Sequence, residues 1–329
     1  MRVIVIGANG QLGSDLCKEL SSVNRAKQSN FIEPKPASVR SIKARRKSSD
    51  DPVASIVSEL SGVLVPLTHS EIEVTDMDSV KQAFEKYRPD VVVNTAAFHR
   101  VDDCEDDPDK AFRVNALGAR NVAVACEKFD AKLVFLSSDY IFGGEGERRT
   151  TPYTEFDTPV PLSVYGKSKL AGENLVQHVC SKYFIIRSSG LFGVAGASGK
   201  GGGNFVETML RLAKERDQLR VVNDQVFSPT YTRDLAQKIV QIIRTEYYGI
   251  FHVTNKGACS WYEFAKEILR LAGLKTPLIP VTSDEYPQKV KRPPFSALDN
   301  YHLKLLGMDD MRPWQEALAS YMKEKGHLP

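Results

Sequence analysis

The segment Arg2-Val3-Ile4-Val5-Ile6-Gly7-Ala8-Asn9-Gly10-Gln11-Leu12-Gly13 restricts the fold of this chain more than any other. Val3 to Ile6 is an unbroken β-branched run, the pattern of a strand buried on both faces. Glycines at 7, 10 and 13 then turn the chain into a helix that extends through Leu20. Such glycines let the backbone bend tightly and approach a pyrophosphate, whose charge then sits at the helix N-terminus. Strand, glycine turn and helix in this order imply a dinucleotide-binding βαβ start.

The rest of the chain continues that alternation. Val91-Val92-Val93 reads as a strand ending at Asn94-Thr95-Ala96-Ala97. Lys132 to Leu136 ends at Ser137-Ser138, and Tyr183 to Arg187 ends at Ser188-Ser189-Gly190. Helical patterns lie between them at Val80–Lys86, Asp109–Phe129 and Ser168–Val179. Strands alternating with helices imply an α/β, Rossmann-type doubly wound parallel sheet, with its site at the carboxyl ends of strands. After residue 190 the strands shorten and the helices become less regular (Val206–Glu215, Asp234–Arg244, Trp261–Leu271, Trp314–Lys323). We therefore expect an NAD(P)-binding domain over residues 1–190 and a smaller C-terminal substrate-binding region over 191–329, sharing the sheet edge. Val23 to Asp51 stands apart: it is basic, with Arg25, Lys27, Lys35, Arg40, Lys43, Arg45, Arg46 and Lys47, and poor in large apolar residues. It reads as a solvated insertion in the first domain.

Composition narrows the function classes. A net charge of +3 gives no reason to expect a nucleic acid or membrane partner. No apolar run approaches the ~18–20 residues of a membrane span. The five cysteines are odd in number, widely spaced and without a CxxC, as expected of reduced thiols in a cytoplasmic protein. The six histidines show no metal-ligand spacing, so no metal site is expected. The acidic run Asp102, Asp103, Glu105, Asp106, Asp107 and Asp109 reads as a solvated helix-start face.

Tyr165 and Lys169, at i and i+4, share one face of a helix. A free phenol titrates near ~10, and a neighbouring ammonium is expected to lower that. Tyr165 can then give its proton to a carbonyl oxygen while hydride reaches the carbon. Ser138, at a strand end, can orient the same oxygen, Asp139 can bind substrate hydroxyls, and Asn115 is expected to bond backbone beside the site. The second strand, Val63 to Leu67, is followed by Thr68-His69-Ser70 with no carboxylate for a ribose 2′-hydroxyl. That favours NADPH, with NADH as the alternative. A basic residue of the insertion is a candidate partner for the 2′-phosphate.

These residues carry a specific resemblance. Gly7-x-x-Gly10-Gln11-Leu12-Gly13, Asn94-Thr95-Ala96-Ala97, Ser137-Ser138-Asp139-Tyr140-Ile141-Phe142 and Pro161-Leu162-Ser163-Val164-Tyr165-Gly166-Lys167-Ser168-Lys169 are motifs of extended short-chain dehydrogenases/reductases. Gly203-Asn204-Phe205-Val206, Val222-Asn223-Asp224-Gln225, Ser228-Pro229-Thr230, Cys259-Ser260-Trp261-Tyr262-Glu263-Phe264 and Arg292-Pro293 with Ser296 narrow this further. Together they resemble the dTDP-4-dehydrorhamnose reductase family. The resemblance implies NAD(P)H-dependent reduction of the 4-keto group of a dTDP-sugar. It implies that Gly10, Gln11, Leu12, Thr95, Ala96 and Ala97 line the cofactor. It makes Tyr165 the proton donor with Lys169 as its partner, and Ser138 and Asp139 substrate contacts. Asn204 and Arg292 become candidates for the diphosphate side of the nucleotide sugar. Some bacterial members place an acidic residue at the position of Asp15 in a magnesium-bridged dimer; the next such position falls near Arg233-Asp234, so a homodimer is compatible but that metal is not expected. Some members carry a substrate-stacking Trp where this chain has Gly190.

Two other readings stay open on sequence. The regulatory β subunit of methionine adenosyltransferase resembles the same family, binds NADP, and shares the Ser-Ser-Asp-Tyr and Tyr-x-x-x-Lys segments. A reductase or epimerase of another nucleotide sugar is the second.

Overall fold

The computed structural model describes residues 1–28, 62–146, 149–196, 203–286 and 289–328. Its main sheet has six strands, all parallel: β1 (Val3–Ile6), β2 (Leu64–Leu67), β3 (Val91–Asn94), β4 (Lys132–Ser138), β5 (Tyr183–Ser188) and β6 (Gly249–His252). The spatial order is β2-β1-β3-β4-β5-β6. Pro66 lies in β2, where an edge position makes its missing N–H harmless. Between β1 and β3 the winding reverses, and the loops leaving these strands diverge into a crevice.

Alternation along each strand sorts side chains between two cores. Val3, Val5, Val91, Val93, Val134, Phe184 and Ile186 face one side. There they meet Leu12, Leu16 and Leu20 of α1 (Gln11–Gln28). Ile4, Ile6, Val92, Leu133, Phe135 and Ile185 face the other. They pack under α2 (Met77–Tyr87), α5 (Ala119–Lys128) and α6 (Val164–Val179) through Val80, Phe84, Val122, Cys126 and Val176. Burying such a side chain is worth roughly 1.5–3 kcal/mol.

α1 runs to Gln28, beyond the expected end at Leu20, because no Gly or Pro interrupts the chain there. The first residues of the basic segment are therefore helical, and the remainder, 29–51, lies outside the described residues. The single helix expected from Asp109 to Phe129 is three pieces: α4 (Pro108–Phe112), a π-helical turn at Arg113–Gly118, and α5. The wide turn carries Asn115. α6 begins at Val164 rather than Ser168 because Ser163 caps it, accepting from the Gly166 N–H at 3.1 Å.

A third apolar cluster gathers the C-terminal elements. It joins α7 (Phe205–Glu215), α9 (Trp261–Leu271) and α10 (Trp314–Glu324) around Phe192, Phe227, Phe264 and Trp314. The chain also returns to the first layer. α8 (Thr232–Ile242) packs Leu235, Ala236 and Ile239 against the α1 face, and β6 closes the sheet edge beside β5. Among the described residues no helix is long and apolar enough to cross a membrane, and all five cysteines are free thiols.

Candidate active site

A cavity of about 1000 Å³ opens over the carboxyl ends of the central strands, between the sheet and the C-terminal cluster. Its floor is the glycine turn. Gly7 has φ +80° and an added Cβ would stand 2.6 Å from Thr95 Oγ1; a Cβ on Gly13 would stand 2.1 Å from the Gly7 carbonyl oxygen. The second clash is against backbone, which cannot swing aside, so only glycine lets α1 begin this close to β1. Gly10, Gln11 and Leu12 face the cavity where the first N–H groups of α1 lack intrahelical acceptors. Thr95, Ala96 and Ala97 form the adjoining wall, Thr95 Oγ1 donating to the Ile6 carbonyl at 2.7 Å. This cradle suits the pyrophosphate and ribose of a dinucleotide.

Tyr165, half-buried, and Lys169, buried, lie on one face of α6, and both line the cavity. Ser138, at the end of β4, lines the same cavity. Burial pushes the Tyr165 phenol up; Ser138 acts the other way, and the charge of Asp139 adds to the rise. Burial likewise pulls the Lys169 ammonium down to about 7, opposed by Glu173 one turn further along α6. The ammonium lies 4.2 Å from the centroid of the Phe135 ring.

Asn115 holds this helix to the cofactor wall. Its Oδ1 accepts from the Phe98 N–H, and its Nδ2 donates to the Phe98 carbonyl and to Ser168 Oγ, each at 2.9 Å. The backbone role read from sequence is thus in place. The acidic run keeps the solvated helix-start face expected of it: none of its carboxylates is buried, and they lie on α3 (Val101–Asp106) and at the start of α4. Two of them cap helices: Glu105 accepts from the Val164 N–H at 2.7 Å at the start of α6, and Asp107 caps α4. Asp102 also pairs with Arg292 at 3.7 Å, and Asp106 with Lys289.

The other expected site residues also reach the cavity, with their side chains already engaged. Asp139 is 3% exposed. Its carboxylate accepts from Ser138, Ser189 and Ser296 at 3.1, 2.7 and 2.7 Å. Burial raises its pKa and the three serine bonds oppose the rise. Asn204 caps α7 through Oδ1, and its amide donates to the Gly193 carbonyl and Tyr321 hydroxyl at 3.2 and 3.1 Å. Arg292 lines the cavity, one-third exposed, and its charge opposes the burial that raises Tyr140, whose ring meets that of Tyr165 edge-on at 5.8 Å.

Three cavity residues had no role assigned from sequence. Glu73, beyond β2, supplies a carboxylate on the cofactor side, where none was expected. One of its oxygens accepts from Thr75 N and Oγ1, both at 2.8 Å. Ser137 Oγ is buried in the wall with no hydrogen-bond partner. Trp261 stacks on Phe227 with centroids 3.8 Å apart. At Gly190, φ is +53° and an added Cβ would lie 2.3 Å from the Phe227 ring, so no larger side chain fits there. The aromatic wall here comes from Phe227 and Trp261 instead.

Asp15 is buried, accepting from Thr232 Oγ1 at 2.6 Å and pairing with Lys18 at 3.3 Å. Asp234 holds Arg312 at 2.7 Å. Among the described residues no group of three His, Cys, Asp or Glu side chains is placed to hold a metal ion.

A parallel sheet with this glycine cradle and a buried Tyr-x-x-x-Lys beside a strand-end serine defines an NAD(P)-binding oxidoreductase of the extended short-chain dehydrogenase/reductase class. The family model described as the RmlD substrate binding domain matches residues 51–326. The chain is 39% identical to the spore coat polysaccharide biosynthesis protein SpsK of Bacillus subtilis, over 98% of each chain. It is 33% identical to a dTDP-4-dehydrorhamnose reductase of Aggregatibacter actinomycetemcomitans, over 97% of each. The crystal structure of dTDP-4-dehydrorhamnose reductase from Bacillus anthracis in complex with NADP superposes with a TM-score of 0.80 at 37% identity, covering 98% of this chain and 99% of that one. The chain belongs to the dTDP-4-dehydrorhamnose reductase (RmlD) family.

Proposed function

We propose that this chain reduces the 4-keto group of dTDP-4-dehydro-L-rhamnose to dTDP-L-rhamnose, with NADPH as donor and NADH as the alternative. The observation that carries this reading is the convergence of Tyr165, Ser138 and Lys169 on one cavity with the glycine cradle. The names of the relatives supply the substrate class.

Gly7, Gly10, Gln11, Leu12 and Gly13, with Thr95, Ala96 and Ala97, would hold the cofactor, which supplies the hydride when bound. The chain's own residues handle the proton. Burial keeps Tyr165 a complete phenol at neutral pH, so its proton is present for transfer to the carbonyl oxygen. Lys169, close to half-protonated near neutrality, can bond the ribose hydroxyls and return charge to the site. Ser138 and Asp139 form the wall nearest the phenol. Arg292 at the rim suits the substrate diphosphate, since a guanidinium bonds phosphate oxygens in pairs. Asn204 fixes the start of α7 on the same side. Residues 1–190 would thus serve the cofactor and most of 191–329 the sugar nucleotide. Free thiols suit a cytoplasmic setting. A homodimer is compatible with this scheme.

The test follows NADPH absorbance on adding enzymatically generated dTDP-4-dehydro-L-rhamnose, with Tyr165→Phe in parallel. Turnover by the wild type, lost by about 10²–10⁴-fold in the variant while NADPH still binds, is expected. NADPH binding without turnover in the wild type would overturn the reductase reading and favour the regulatory one.

A further inference from the structure

Ser137 is 5% exposed, and its Oγ has no hydrogen-bond partner among the described residues. A hydroxyl has one proton to give and two lone pairs to fill, and burying it with none of these met costs free energy. The other serine and threonine hydroxyls that line the cavity all have protein partners. Thr75 donates to Glu73 at 2.8 Å, and Thr95 to the Ile6 carbonyl at 2.7 Å. Ser138 and Ser296 donate to Asp139 at 3.1 and 2.7 Å, and Ser188 donates to the Val253 carbonyl at 2.8 Å. Ser137 lines the same cavity and is the exception.

Its place follows from β4. Successive side chains of a strand point to opposite faces. Ser137 therefore shares its face with Leu133 and Phe135, which pack on the α6 side of the sheet. Lys169 of α6 stands over that face, its ammonium 4.2 Å from the centroid of the Phe135 ring. Two residues of strand advance the chain by about 6.6 Å, so Ser137 comes one step beyond Phe135, toward the carboxyl end where the cavity opens. The neighbouring strand is β3, with Asn94 in register with Phe135, and its continuation is the Thr95-Ala96-Ala97 wall. Ser137 thus lies where the cofactor wall meets the helix that carries Tyr165 and Lys169.

We propose that Ser137 is a further cofactor-binding residue, whose hydroxyl hydrogen-bonds the nicotinamide–ribose half of the dinucleotide beside Lys169. The proposal rests on the dinucleotide site described above and adds a residue to which the family resemblance assigned no role. The glycine turn at the start of α1 suits the pyrophosphate, and Tyr165 marks where the carbonyl must meet the hydride. The half of the dinucleotide that runs from the turn toward Tyr165 is the nicotinamide half, and β4 lies under that stretch. Ribose hydroxyls and a carboxamide offer both donors and acceptors, so either orientation of the Ser137 proton finds a partner. Ser137 gives up no protein hydrogen bond to make this one, so its free energy goes into binding instead of being exchanged.

The test measures affinity by calorimetry for wild type and Ser137→Ala, with NADPH, with adenosine 2′,5′-bisphosphate, which lacks the nicotinamide–ribose half, and with dTDP. Urea unfolding of both proteins without ligand is followed by circular dichroism. For Ser137→Ala we expect NADPH affinity to fall about 5- to 30-fold. Affinity for the bisphosphate and for dTDP should stay at the wild-type value. The urea midpoint should equal or exceed that of wild type, because no protein hydrogen bond is removed. Unchanged NADPH affinity would overturn the proposal. So would an equal loss for the bisphosphate, which would place the effect in the glycine cradle, or a loss confined to dTDP, which would place it on the substrate side. A lower urea midpoint, or failure to fold, would overturn it too, since the hydroxyl would then serve the fold. A wild type that does not bind NADPH would instead overturn the dinucleotide reading beneath it.

Discussion

Lys169→Met removes a charge that the fold holds at a cost. Lys169 is 1% exposed, and burial brings its ammonium from 10.5 down to about 7. In the unfolded chain the same group titrates near ~10.4. Between those values the unfolded chain binds a proton that the folded chain has released, so stability rises with pH across the window. The penalty is fully present below about pH 7 and is relieved as pH climbs toward the unfolded value. A gap of roughly 3.5, at ~1.36 kcal/mol for each pKa unit, makes it about 5 kcal/mol. Met fills a similar volume without charge, and Glu173 keeps Arg187, whose Nε donates to it at 3.0 Å. The variant should therefore be the more stable form near neutrality. Its advantage should shrink by about 2–3 kcal/mol between about pH 6 and about pH 9. Urea unfolding of both proteins at the two pH values, without cofactor and followed by circular dichroism, gives the difference directly. A stability difference that does not change with pH would refute the reasoning, because Lys169 would not then titrate within that window.

Three further substitutions test the frame around the site. Gly13→Ala places a methyl group 2.1 Å from the Gly7 carbonyl oxygen, so NADPH affinity by calorimetry should fall at least about tenfold; wild-type affinity would mean that the turn yields. Asn115→Ala leaves the Phe98 N–H and carbonyl without their partner and should cost about 1–3 kcal/mol in urea unfolding, against no measurable loss if water replaces the amide. Glu173→Gln leaves Arg187, 2% exposed, without its counter-charge; a loss of about 3–5 kcal/mol is expected, and an unchanged midpoint would show that the pair contributes nothing net.

Elements whose signals lie within a few residues were legible from the chain. The β1 run and glycine turn and the i, i+4 placement of Tyr165 and Lys169 depend only on local geometry. Trp261–Leu271 forms the helix its periodicity predicts, residue for residue. The break at Arg113–Gly118 was not legible, because the helical pattern continues through the π turn and only the Asn115 bonds mark it. Glu105 capping α6 from 59 positions away left no local trace.

The sequence by itself determined the class of protein: a dinucleotide cradle, a parallel sheet and a phenol–ammonium pair follow from residue types at short spacing. Tertiary structure alone decided how those groups behave. Burial raises the phenol of Tyr165 and draws down Lys169. Ser189 and Ser296, 50 and 157 positions from Asp139, meet at one carboxylate. Desolvation and hydrogen-bond direction depend on what covers a group, and the covering residues come from distant parts of the chain.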